Sequence, residues 1–257
     1  MDVELKIALI QSHLHWENPK ANREMFREKI DRIPNDFDLV VLPEMFTTGF
    51  TMKPGQVDSL EGEKTLQWMK DCASKNSVAL CGSIVFQEKD RYFNRLFFVL
   101  PDGNYFQYDK KHTFTLAGEH KVYKAGGKKI VFEYKGFSIC PLICYDLRFP
   151  VWARNMEDYD VLIYVANWPK PRISAWDTLL KARSIENMAY CIGVNRIGLD
   201  GLGHEYSGHS AVYDVLGTRL AYSEKEEVIY ASLSKEHIGK NRSQLRFLED
   251  RDAFSLI

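Results

Sequence analysis

The apolar run Phe137-Ser-Ile-Cys-Pro-Leu-Ile143 stops abruptly at Cys144 and gives way to Tyr-Asp-Leu-Arg-Phe-Pro150. A run this short reads as a buried strand. The polar and turn-favouring residues after it, with Pro150 suited to the first turn of a helix, place a corner at Cys144. A strand-to-helix corner exposes a side chain at the carboxyl end of the strand and turns fresh backbone N–H groups toward the same space. A thiol at such a corner is placed as a nucleophile. Cys140, inside the same run, is placed as a structural cysteine.

Strand-like runs recur along the chain. They cover residues 3–11, 38–44, 78–86, 92–100, 105–109, 129–134, 160–167, 191–197, 210–215, 219–222 and 228–233, several of them joined as hairpins by turns such as Pro101-Asp102-Gly103 and Lys135-Gly136. Helical spacing is read over about 19–33, 61–76, 150–158, 174–190 and 234–250. Asn18-Pro19 supplies one helix start, and Ser174-x-x-Asp177 a capping-type start for another. Residues 198–208 read as a Gly-rich loop. Strands alternating with helices, interrupted by hairpins, fit an α/β fold of two packed sheets covered by helices on the outside, a four-layer αββα sandwich. No linker or low-complexity stretch divides the chain, so one domain is expected over 1–257. Phe37-Asp-Leu-Val-Val-Leu-Pro-Glu44 and Tyr159-Asp-Val-Leu-Ile-Tyr-Val-Ala-Asn167 both set Asp before a buried strand and a polar residue after it, a hint of two similar halves.

Composition excludes several function classes. Hydrophobic residues make up 45% and charged residues 27%, and the formal net charge is −1. That balance carries no electrostatic footprint for nucleic acid or an anionic membrane surface. No apolar run approaches membrane-spanning length. The acidic start Met1-Asp-Val-Glu lacks the features of a signal peptide, so the cytoplasm is the expected location. The five cysteines, an odd number at scattered positions, argue against a disulfide framework, and none has zinc-site spacing with histidine.

A free thiol titrates near ~8.5, so Cys144 needs a base or a cation to react. Glu44, just past Pro43 at the end of one buried run, and Lys110, at the end of another, are candidates from separate strand ends. Each has an ordinary alternative: Glu44 as a loop carboxylate, Lys110 with Lys111 as a solvated pair, Glu119 as a loop charge, His112 as a packing or hydrogen-bonding residue, and Cys144 as a small buried hydrophobe. The coincidence of three such residues at strand ends favours a site.

Leu42-Pro43-Glu44-Met45-Phe46, Tyr108-x-Lys110-x-His112 and Ile143-Cys144-Tyr-Asp-Leu-Arg-Phe-Pro150 resemble the three signature motifs of the nitrilase superfamily, the carbon–nitrogen hydrolases. The segment Ala182-Arg-Ser-Ile-Glu-Asn187 is similar to the family's helix after the nucleophile, and Ala166-Asn-Trp-Pro169 suggests the ω-amidase branch. The resemblance runs to about residue 233. Thr113 and Ser184 depart from residues frequent in the family and leave the sub-branch open.

The resemblance implies a Glu-Lys-Cys triad with Glu44 as general base, Lys110 as the lysine and Cys144 as nucleophile. Glu119 matches a second glutamate that orients the substrate or the triad. Lys110 and the backbone N–H of Tyr145 are the expected oxyanion donors. The chemistry calls for neither metal nor organic cofactor. The implied reaction is hydrolysis of the terminal amide of small 2-oxo acid monoamides, 2-oxoglutaramate or 2-oxosuccinamate, through a Cys thioester. Arg172 is the candidate clamp for the far carboxylate, with Trp168 and Phe114 walling the pocket. Arg172 reads equally as a solvated loop residue, and the two aromatics equally as core. An enzyme of this kind is expected to carry a reactive, low-pKa Cys144, and the family's habit implies a homodimer or higher homo-oligomer. Other carbon–nitrogen hydrolases, acting on carbamoyl amides or nitriles, and an idle binding protein on the same fold stay as alternatives.

Overall fold

A computed structural model describes residues 2–255. The first half runs β1 (Glu4–Gln11), α1 (Pro19–Ile30), β2 (Leu39–Val41), α2 (Glu61–Asn76), β3 (Ala79–Glu88), β4 (Arg91–Val99) and β5 (Tyr105–Asp109). After the single turn α3 (Glu119–Val122) come β6 (Phe132–Tyr134), β7 (Phe137–Ile143), α4 (Pro150–Ala153), β8 (Val161–Ala166), α5 (Ile173–Asn187) and β9 (Tyr190–Asn195). The chain closes with β10 (Ile197–Leu199), β11 (Glu205–Ser207), β12 (Ser210–Tyr213), β13 (Arg219–Ser223), β14 (Glu227–Ser234) and α6 (Lys235–Leu245).

Two six-stranded sheets form, in the orders β14-β1-β2-β3-β4-β5 and β13-β12-β9-β8-β7-β6. In each, three parallel strands lie centrally and antiparallel strands flank them. Strand alternation explains the layers. In the first sheet Ile7, Leu9, Leu39, Val41, Ala79 and Cys81 join a core shared with the second sheet. Their neighbours Ala8, Ile10, Val40 and Leu80 instead pack with Phe26 and Ile30 of α1 and Trp68, Met69 and Cys72 of α2. On the far side Trp176 and Leu180 of α5 cover the second sheet. The four-layer αββα arrangement expected from the sequence is present.

The two halves are alike in detail. Asp38 donates its N–H to Lys6 O, accepts Lys6 N–H on Oδ2 at 2.8 Å, and offers its carbonyl to Ala79 N–H. Asp160 does the same with Ser138 N–H, Ser138 O and Tyr190 N–H. Each Asp thus ties the start of a central strand to both neighbours, the role behind the shared Asp-before-strand pattern.

Several boundaries differ from the sequence expectation. The helix expected to about residue 33 ends at Ile30, since Ile33 precedes Pro34 and is disfavoured in helix. The helix expected over 150–158 is one turn. Asn155 leaves it to bond Asn187 and Tyr159, pinning the chain to the end of α5. The final helix stops at Leu245, where Arg246 turns left-handed at φ 54°. The Ser174–Asp177 capping start does not form. The helix begins at Ile173, and Asp177 pairs with His209. The Gly-rich stretch 198–208 is not a loop but holds the β10–β11 hairpin.

Candidate active site

The carboxyl ends of β7 and β8 and the segments just after β2 and β5 converge on one side of the sandwich. Cys144 opens a 3-10 turn (Cys144–Arg148) directly after β7. Its backbone sits at φ 44°, a left-handed conformation that non-glycine residues rarely adopt and that recurs at nucleophile elbows. Asp146 holds the turn. Its Oδ2 accepts the Ile143 N–H at 3.1 Å and the Tyr108 hydroxyl at 2.8 Å, while Oδ1 accepts the His112 N–H at 2.9 Å and lies 2.8 Å from His112 Nδ1. One buried carboxylate therefore ties the cysteine turn to the segment after β5 that carries Lys110. His112, left open between packing residue and base, is spoken for by Asp146 and stacks on Phe149.

Lys110 is buried between two carboxylates. Its Nζ lies 2.8 Å from Glu44 Oε1 and 3.0 Å from Glu119 Oε2. Asn94 on β4 donates to Glu44 Oε1 at 2.7 Å and to Glu119 Oε1 at 3.3 Å, bracing the pair. Asn167, just past β8, donates its N–H to Glu44 Oε2 at 2.8 Å and its side-chain amide to Glu44 O at 2.6 Å. Phe114 N–H donates to Glu119 Oε2 at 2.5 Å.

The electrostatics follow from burial. Desolvation pushes Lys110 down, but Glu119 and Glu44 outweigh it, and its pKa ends above the ordinary lysine value. Glu119 is pushed above the usual carboxylate range by burial, against the pull of Lys110. Burial raises the Cys144 thiol well above its usual value, and the Glu44 carboxylate raises it further, while Lys110 opposes both. The thiol differs in this from the low-pKa cysteine expected. A buried set holding one ammonium and two carboxylates resists another net negative charge. Passing the thiol proton to Glu44 would leave the net charge of the set unchanged, whereas losing it to solvent would add a negative charge.

A cavity of about 330 Å³ opens over this cluster. Lys110, Cys144, Tyr145, Phe114, Trp168 and Arg172 are among the residues that line it. Glu44 and Glu119 do not reach the lining and stand behind Lys110. Two guanidiniums face the cavity, Arg148 over the Trp168 ring at 4.9 Å and Arg172 over Phe114 at 5.2 Å. Neither is paired with a carboxylate among the described residues. Also among the described residues, no group of three or more His, Cys, Asp or Glu could hold a metal ion, and no helix is long and apolar enough to cross a membrane.

The carbon–nitrogen hydrolase family model matches residues 6–242, nearly the whole chain. The chain belongs to the carbon–nitrogen hydrolase family. Among its relatives, the omega-amidase YafV of Yersinia enterocolitica is 42% identical, the match covering 98% of this chain and 99% of that protein. The 2-oxoglutaramate amidase of Bacillus subtilis is 31% identical, with 95% and 96% covered. XC1258 of Xanthomonas campestris, a CN-hydrolase superfamily protein solved with an arsenic adduct in its active site, superposes with a TM-score of 0.95 at 38% identity, covering 98% and 99%. Nit3 of Saccharomyces cerevisiae, of the nitrilase superfamily, superposes at 0.85 with 25% identity, covering 94% of each chain.

The hydrolase fold thus brings together every site residue singled out in the sequence. Others were not singled out. Arg148 stands inside the cysteine motif, and the polarity of that position was its signal. Asn94 interrupts the apolar stretch of β4, a polar residue where packing alone would want none. Asp200, Leu202, His204 and Tyr206, which line the cavity from the β10–β11 hairpin, gave no signal beyond their glycines.

Gly126 supports the lysine from below. It donates its N–H to Lys110 O at 2.8 Å, and a Cβ there would stand 2.1 Å from the Asp109 carbonyl oxygen. That oxygen is backbone and cannot swing away. Gly126→Ala is expected to cost about 1–3 kcal/mol of stability by overpacking. It is also expected to lower kcat on the order of 10²-fold, because displacing a reacting group by about 1 Å costs that much. Thermal denaturation and steady-state kinetics read the two effects. An unchanged kcat would show that Lys110 is not held by this contact.

Proposed function

We propose that this hydrolase cleaves the terminal amide of small 2-oxo acid monoamides, 2-oxoglutaramate and 2-oxosuccinamate, to the 2-oxo diacid and ammonia. The observation that carries the reading is the pair of unpaired guanidiniums, Arg148 and Arg172, sharing one cavity with Cys144. An amide with a carboxylate at its far end finds a cation there and a thiol at the other end. The likeness to an omega-amidase and to a 2-oxoglutaramate amidase supports the same substrate class.

The steps follow from the groups present. Glu44 takes the thiol proton as Cys144 Sγ attacks the amide carbon. The oxyanion is held by the Lys110 ammonium and the Tyr145 N–H, which stands near the start of its 3-10 turn, where N–H groups lack partners within the turn. Each such donor is worth about 10²–10³ in rate. Glu44 returns the proton to the leaving nitrogen, ammonia departs and a thioester remains on Cys144. Water activated by Glu44 hydrolyses the thioester and restores the thiol. Glu119 keeps Lys110 in place throughout.

The cavity also sorts 2-oxo from 2-amino acids. Asp200 is the one carboxylate in its lining, and its oxygens already take two N–H groups, the Tyr206 hydroxyl and a contact to His204 Nδ1. An α-ammonium group therefore meets cations and no free carboxylate. A kcat/KM panel over 2-oxoglutaramate, glutamine, asparagine, a simple nitrile and a carbamoyl amino acid tests the reading. 2-Oxoglutaramate is expected to exceed glutamine by at least about 10², the scale of leaving a charged donor unpaired in the cavity. Arg172→Leu is expected to raise KM for 2-oxoglutaramate about tenfold or more, with a smaller change in kcat. Preference for the nitrile or the carbamoyl compound would replace this reading with one of the alternatives.

A further inference from the structure

The two halves of the fold differ at one instructive place. In the first sheet β3 turns directly into β4, with Glu88 paired to Arg91. In the second, β9 and β12 are separated by residues that fold back as the β10–β11 hairpin. That insertion supplies four cavity-lining residues, Asp200, Leu202, His204 and Tyr206.

The hairpin is built to stay still. Asp200 Oδ1 accepts the N–H groups of Leu202 and His204, each at 2.9 Å, and Oδ2 accepts the Tyr206 hydroxyl at 3.0 Å. Arg196, just before β10, is fully buried. Its Nη2 donates to Leu199 O at 2.9 Å, and its guanidinium lies 4.6 Å from the centre of the Tyr206 ring. Arg196 Nε and Nη1 have no hydrogen-bond partner among the described residues. A guanidinium buried this way costs several kcal/mol that a leucine or methionine would not. What it provides here is a grip on the face of Tyr206 while Asp200 holds the hydroxyl. Nor can the hairpin back away. A Cβ on Gly201 would stand 2.2 Å from Trp16 Cδ1, and one on Gly198 2.5 Å from His13 Cδ2, so its backbone is seated flush on the loop after β1.

We propose that this hairpin sets the upper size of the acyl group the enzyme accepts, with Tyr206 as specificity-determining residue and Arg196 and Asp200 as positioning residues that keep it from yielding. The inference rests on the reading of Cys144 as the nucleophile in this cavity. Its ligand class is the acyl part of a straight-chain amide carrying a terminal carboxylate. One methylene too many against a fixed apolar wall is worth about 10–200-fold.

The test is a series of kcat/KM values for monoamides of straight-chain diacids of four, five, six and seven carbons. Wild type, Tyr206→Ala, Tyr206→Phe, Asp200→Asn and Cys144→Ala are compared. Wild type is expected to drop at least about tenfold at one added methylene. Tyr206→Ala should raise the long-to-short ratio about tenfold, and Asp200→Asn and Tyr206→Phe, which free the ring without removing it, should raise it severalfold. If Tyr206→Ala fails to fold by circular dichroism, the other two variants decide. An equal loss at every chain length, or an unchanged ratio in an active enzyme, overturns the proposal alone. Wild-type rates in Cys144→Ala, or no hydrolysis of any amide by wild type, overturn the Cys144 reading and this proposal with it.

Discussion

Replacing Cys144 with alanine is expected to lower ammonia release from 2-oxoglutaramate by at least about 10⁴-fold, the scale seen when a triad nucleophile is removed. The other four cysteines are buried, and none of them lines the cavity. Cys144 itself is 9% exposed, enough for a substrate carbon in the cavity to be reached. The loss should fall on kcat, with the carboxylate clamp and KM less affected. Wild type quenched during turnover should show an added acyl mass on Cys144 by mass spectrometry, and the variant none. Full ammonia release by the variant would end the assignment. Because burial and Glu44 raise the thiol, alkylation of the resting enzyme at neutral pH should be slow even though the enzyme is active. Slow labelling therefore does not point to an idle binding protein.

Lys110→Met is expected to damage both fold and chemistry. Among the described residues the ammonium is the only cation between Glu44 and Glu119, and all three are buried. Removing one partner of a buried ion pair costs about 3–5 kcal/mol, because the remaining charge is stranded. Activity should fall a further ~10²–10³ or more through the lost oxyanion donor. The pH dependence has a defined sign. Glu119 is already raised in the folded protein, so the folded state holds its proton more tightly than the unfolded chain does. Stability from this group is therefore greatest below the ordinary carboxylate value of 4.5 and is lost as pH rises through the raised value. Without Lys110 the raised value moves higher still. The stability gap between wild type and variant should be widest near neutral pH and narrow toward pH ~4. Urea denaturation at several pH values checks it. A gap that stays constant with pH would mean that the stranded carboxylates are not its source.

How much of this was legible in the sequence varies by element. β7 and its corner were visible because a seven-residue apolar run that ends on Cys144 fits few other structures. The Asp-before-strand pattern was visible too, and Asp38 and Asp160 turn out to perform one task twice. By their composition residues 198–208 read as a loop. Two of their glycines, Gly198 and Gly201, reflect close contact with His13 and Trp16, nearly two hundred residues away, and no local pattern encodes that. The helix expected over 150–158 failed for a similar reason. Asn155 is held by Asn187, and that partner is chosen by the packing of α5.

Period, run length and turn chemistry are local, so they place Glu44, Lys110 and Cys144 at strand ends without reference to the rest of the chain. Their proximity comes from packing. Two carboxylates share one buried ammonium beside the thiol, and burial together with Glu44 raises that thiol. Arg148 joins Arg172 across the cavity, and a hairpin inserted into the second half becomes its wall. Those outcomes depend on distance and burial, which arise only when segments far apart in sequence are packed against one another.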